Sequence, residues 1–64
     1  MVTYITDNGR AEVESSGEDF WLVSLLPDSG FAHELYVAAR SPVQAVQKAY
    51  QFWFRKHTET LYLL

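Results

Sequence analysis

His33 and Glu34 are adjacent, and an imidazole beside a carboxylate is the material of acid–base catalysis. Neighbours on a strand point to opposite faces, so the pair cannot act together on one substrate atom. His33 is therefore read as an ordinary residue of a partly buried strand face. Ser15 and Ser16 are nucleophile types with no base nearby in sequence, and a polar connector is their expected place. His57 falls at the expected end of a helix, where it favours the negative end of the helix dipole. Two histidines and no cysteine are too few for a closed zinc site without carboxylates. A glycine-rich phosphate loop and a Gly-x-Ser-x-Gly elbow are both absent, and the three glycines lie in separate turns. So short a chain has little room for a large lined substrate pocket. The expectation is a non-enzyme with no catalytic residue, no cofactor and no metal.

What remains is the chemistry of recognition. AYQFWFRKH, from Ala49 to His57, sets Phe52, Trp53 and Phe54 side by side. Three consecutive residues of a helix point in three directions. With Val46 at zero and ~100° per residue, Trp53 and Tyr50 fall within about 40°, Phe54 at about 80° on one edge, and Phe52 about 120° away past the other. Ala49 and Val43 complete this apolar stripe, while Gln44, Gln47, Lys48, Gln51 and Arg55 make the polar face. Trp53 should pack on the sheet, Phe54 should lean in beside it, and Phe52 should be left over.

Charge is unevenly spread. Glu12, Glu14, Glu18 and Asp19 cluster, whereas Arg40, Lys48, Arg55 and Lys56 lie on or beside the helix. An acidic group of this kind suits a basic surface on a partner, including one built for nucleic acid, and steers association more than it adds affinity. The formal net charge of −3 argues against a nucleic-acid-binding domain. The candidate partner-binding residues are Phe52, Arg55 and Trp21, with Glu12, Glu14, Glu18 and Asp19 as an alternative face.

These residues need a scaffold. VTYIT, residues 2–6, is β-branched and aromatic and reads as a strand. Asn8-Gly9 then predicts a hairpin with a type I′ turn. A second strand spans about 10–15, with Ala11 and Val13 alternating with Glu12 and Glu14. Residues 16–19 read as a polar connector. FWLVSLL, 20–26, is apolar on both faces, Phe20, Leu22 and Leu26 on one and Trp21, Val23 and Leu25 on the other. Pro27 to Gly30 is a turn, and FAHELYVAA, 31–39, returns antiparallel. With one helix on one sheet face, Trp21, Val23, Leu25 and Tyr36 are expected to face away from it. Ser41-Pro42-Val43-Gln44 opens the helix, with Ser at the N-cap, Pro at the first helical position and Gln three residues after the cap. The helix should run from Pro42 to about Lys56. Leu61 to Leu64 should add a short strand or pack back on the helix.

The expected fold is α+β: a small antiparallel sheet of two hairpins, about four strands, with one C-terminal helix on one face. Residues 1–64 make a single domain. So small a body buries only about 60% of its unfolded surface, yet it is 48% hydrophobic and 16% aromatic. Disulfides are excluded by the lack of cysteine, leaving association as the reinforcement. A homodimer or another protein partner is therefore expected. MVTYITDNGR has neither the basic start nor the apolar core of a signal peptide, and no stretch approaches the roughly 20 apolar residues of a membrane span. Together with the missing cysteine, this favours a cytoplasmic location without a membrane partner.

The strand ending YVAAR followed by the capped helix SPVQAVQKA resembles the HicB-like antitoxin fold over residues 20–53. Of the Gly-Tyr-xxx-Pro-Asp run usual in that family, FWLVSLLPDSG keeps the Pro-Asp. The resemblance implies an antitoxin-like or regulatory dimer acting on a toxin or nucleic acid. Three strands then a helix also resemble the C-terminal half of a double-stranded-RNA-binding domain. That family's helix opens on a phosphate-gripping Lys-Lys pair, where this chain has Pro42 and Val43, so the activity is not carried over. In type, a tiny, acidic, cysteine-free, aromatic-rich domain resembles bacteriophage accessory proteins such as the anti-CRISPR proteins, which block a surface of a host complex. That resemblance implies a phage-type inhibitor acting in the host cytoplasm by steric occlusion.

Overall fold

The computed structural model describes residues 1–55 and 60–64. They form an α+β fold with one antiparallel sheet and one helix packed against it. The strands are β1 (Val2–Thr6), β2 (Gly9–Gly17), β3 (Phe20–Pro27), β4 (His33–Ala38) and β5 (Tyr62–Leu63), and the helix is α1 (Pro42–Phe54). The spatial order is β4-β3-β2-β1-β5. The first four strands are a meander. The chain then passes from the β4 edge along α1 and returns at the far edge, where β5 pairs with β1 as a fifth, two-residue strand.

The first turn differs from expectation by one residue. Thr6 pairs with Gly9, so the two-residue loop is Asp7-Asn8 rather than Asn8-Gly9. Neither Asp7 nor Asn8 has a positive φ, so the turn is not type I′. Gly9 opens β2 at φ +146°, and a Cβ there would lie 2.2 Å from the Leu26 carbonyl oxygen and 2.7 Å from Pro27 Cα. The glycine serves the close approach of β3. The connector expected at 16–19 shrinks to a turn at Glu18-Asp19, because β2 continues through Ser15 and Ser16 with an irregular register between Ser15 and Gly17. Asp19 takes φ 59°, and its carbonyl accepts a 2.9 Å bond from the Ala39 N–H. The last strand starts late: Phe31 and Ala32 lie outside β4.

Register also settles which face of β3 the helix covers. Val13 lies between Val2 and Val23, and Ala11 between Tyr4 and Leu25. These pairs commit Trp21, Val23 and Leu25 to the side of β2's buried alanine and valine. Val23 and Leu25 are core residues and Trp21 packs against the core, so all three face the helix. This corrects the expectation for them. Tyr36 does face away, with Phe20, Leu22 and Leu26.

Along α1 the buried residues are Ala45, Val46, Ala49 and Tyr50, while Val43 is exposed. The buried arc is thus rotated toward Ala45. Ala45 and Ala49 share the core with Ala11 and Val13, and the largest wholly enclosed side chains are Leu25, Val13, Val23 and Val46, so the most enclosed part of the core is built of small side chains. Of the α1 rings Tyr50 is buried, in one core with Tyr4 of β1, while Phe52, Trp53 and Phe54 stay outside. At the helix start, the Gln44 N–H donates to Ser41 Oγ (3.1 Å), while the Arg40 N–H donates to Gln44 Oε1 (2.8 Å). This is the anticipated capping box with its return bond one residue earlier. At the other end α1 stops at Phe54. Arg55 caps it in the left-handed region (φ 57°, ψ 31°), and its N–H donates to the Gln51 and Tyr50 carbonyls. The expectations for Lys56 and His57 lie outside the described residues.

Candidate functional site

Buried and exposed rings meet at the C-terminal end of α1. His33, the first residue of β4, stacks on Trp53 with ring centroids 4.4 Å apart and planes 25° from parallel. Phe54 meets His33 edge-on at 5.6 Å and lies 5.5 Å from Tyr50. Phe52 meets Trp53 edge-on at 5.3 Å. Offset-stacked and edge-to-face contacts are the geometries that aromatic quadrupoles favour, so five rings form one connected ladder. Tyr50 is its buried root. Phe52 is 66% exposed, Trp53 40% and Phe54 41%, and Phe31, two residues before His33, is 86% exposed. Arg55 follows directly and is exposed.

This places His33 in a structural role, as the platform for Trp53. Glu34 lies on the other sheet face, where its Oε2 accepts a 3.4 Å bond from Ser24. The adjacent pair is divided as strand geometry requires. Trp21 is apart from the ladder: its Nε1–H donates to the Ala39 carbonyl (2.9 Å), which ties β3 to the chain entering α1. Its ring is half-buried, whereas Phe52 and Arg55 are both exposed.

The acidic group is split. Glu12 and Glu14 point outward from β2, on the sheet face opposite the helix, with Ser24 and Leu22 as their β3 neighbours. Glu18 and Asp19 sit in the β2–β3 turn at the end of the sheet. Glu34, across Ser24 from Glu12, joins the outward carboxylates, and Phe20 and Tyr36 border them. Strand alternation already sets Tyr36 on this outward face, and could have added Glu34 to the acidic group, since Glu34, Tyr36 and Ala38 share a face by parity alone. Phe31 carries no such signal, because the sequence places it in the strand, whereas β4 begins at His33. Among the cations, Lys48 Nζ donates to the Ala38 carbonyl (2.6 Å) at the end of the β4 edge.

Between the β1–β2 turn, the β3–β4 connection and the end of α1 lies a cavity of about 320 Å³, floored by Leu25 and Pro27 and walled by Tyr50 and Phe54. Among the described residues, no cluster of three or more histidines and carboxylates is placed to hold a metal ion, and no helix is long and apolar enough to cross a membrane. No family model, curated protein or solved structure matches the chain.

Proposed function

We propose that this chain is a non-enzymatic protein-binding module, a phage-type inhibitor in character, which blocks a host protein or complex by covering part of its surface. The observation that carries this reading is the exposed ring ladder of Phe52, Trp53 and Phe54. Contiguous exposed apolar surface marks interaction sites. Aromatic residues and arginine are the side chains that dominate interface energetics, and Arg55 stands next to the rings. The rings are already ordered against one another, so little side-chain entropy is lost on docking. Size supports the mechanism as well. A standard interface takes ~800 Å² from each partner, about a fifth of this chain's 4369 Å² accessible surface. The acidic sheet face of Glu12, Glu14 and Glu34 would steer the encounter with a basic partner.

The test begins with affinity capture in a candidate host, followed by a binding measurement with the purified partner. Phe52→Glu should abolish binding while the circular dichroism spectrum stays unchanged. Glu12→Gln with Glu14→Gln should slow association and flatten its salt dependence. Retention of full affinity by both variants would discard both surfaces.

A further inference from the structure

We propose that the 320 Å³ cavity at the end of α1 is a binding site for an organic monocation, a guanidinium or alkylammonium group. Its lining is selective in character. Leu25 and Pro27 line it with apolar atoms, the half-exposed Phe54 ring backed by the buried Tyr50 adds aromatic surface, and Asp7 and Asp28 supply two carboxylates. None of the described lining residues is basic. Ring faces attract a cation through their quadrupole, carboxylates attract its charge and accept its hydrogen bonds, and an apolar floor accommodates an alkyl stem. A neutral apolar ligand would leave the carboxylates unused, and an anion would meet two like charges. An inorganic cation would gain nothing from the apolar floor.

The site is also held in shape. The Asp28 N–H donates to the Asn8 carbonyl (2.7 Å), so the two loops that carry the carboxylates are tied together. Thr6 Oγ1 is buried and accepts from both the Asn8 N–H (3.3 Å) and the Tyr50 hydroxyl (3.1 Å), which fixes the ring wall against the first turn. A preformed pocket with few convergent polar groups is the ordinary form of a small-ligand site. The volume exceeds that of a bare ammonium ion and suits a cation carried on a stem. That stem belongs either to a partner's arginine or lysine side chain or to a free small amine.

The experiment is an NMR titration of the isolated chain with N-acetyl-arginine amide, with butylammonium, and with the neutral isostere N-acetyl-norleucine amide. Saturable shifts of the Asp7, Asp28 and Phe54 amides and of the Tyr50 ring are expected with both cations and not with norleucine. Asp7→Asn with Asp28→Asn should weaken binding at least about tenfold, the equivalent of ~1.4 kcal/mol. Both positions are exposed, and the dispersion of the variant's spectrum reports its fold. In the wild type, added salt should weaken binding in parallel. Tighter binding of an arginine-containing tripeptide than of butylammonium would assign the source to a protein side chain, and equal binding would assign it to a free amine. Equal binding of norleucine, no saturation with either cation, or a salt-independent affinity would overturn the proposal. The titration needs no partner, so its failure leaves the ring ladder's role standing, and Phe52→Glu leaves the cavity intact.

Discussion

At the scale of single residues, backbone angles set the sharpest constraints. Gly9 and Gly17 both have positive φ, but only Gly9 has β3 within reach of a Cβ. Gly9→Ala is expected to cost about 3 kcal/mol or more, the upper end of ordinary substitutions. Gly17→Ala carries only the conformational term, about 1–2 kcal/mol. Urea unfolding of the two variants checks this, and equal losses would contradict the close-approach argument. The opposite sign is expected at Arg55, which bears a side chain at φ 57°. Arg55→Gly should stabilise by about 0.5–1 kcal/mol, the left-handed strain relieved less the extra unfolded-state entropy of glycine. If Arg55 is also a contact residue, that variant binds more weakly while unfolding at higher urea. Gly9 was visible in the sequence as a turn residue, but its reason was not. The sequence shows a pair of turn formers; only the packing of Pro27 over the first residue of β2 shows why the second must lack a Cβ.

At the scale of elements, the helix start was the most legible feature, because Ser41, Pro42 and Gln44 act within one turn and need no tertiary partner. Ser41→Ala should cost about 1 kcal/mol, read by chemical denaturation. The buried arc of the same helix was less legible. Periodicity centred it on Val46 and Trp53, with Ala49 and Tyr50 in the stripe; the structure buries Val46, Ala49 and Tyr50, adds Ala45, and leaves Val43 and much of Trp53 outside. Hydrophobicity ranks alanine below valine and tryptophan, but a helix lying close on a sheet selects for small side chains at the line of contact. Ala49→Leu should therefore destabilise by about 1–3 kcal/mol despite the added apolar surface. A stabilised Ala49→Leu variant would mean that the layer is looser than described.

At the scale of the whole molecule, stability and recognition are assigned to different residues. A domain of this length is held by roughly 3–10 kcal/mol in all, and its core is made of aliphatic side chains with Tyr4 and Tyr50. Phe52 contributes little to it. Phe52→Glu should change unfolding free energy by less than about 0.5 kcal/mol, the ordinary range for surface positions. Light scattering over a concentration series bears on the same rings. A monomer leaves the ladder available to another protein. A dimer that Phe52→Glu dissolves would make the occupant a second copy of the chain.

Local chemistry was enough to determine some of this protein from its sequence. The two-period alternation of β2, the turns at Pro27 and near Asn8, the capped helix and the surplus of Phe52 all follow from interactions between near neighbours in the chain. The fold class follows in turn, since one amphipathic helix can cover only one face of a small sheet. What the tertiary structure alone decided was which face, which register and which neighbours. Trp21, Val23 and Leu25 were as apolar as Phe20, Leu22 and Leu26, and only pairing with Val13 and Ala11 turned the first set inward. His33 met Trp53 because α1 ends over the start of β4, and Asp7 and Asp28 line one cavity because the β1–β2 turn and the β3–β4 connection fall at the same end of the sheet. Such meetings depend on long-range register, and a change of one residue in register moves every side chain to the opposite face.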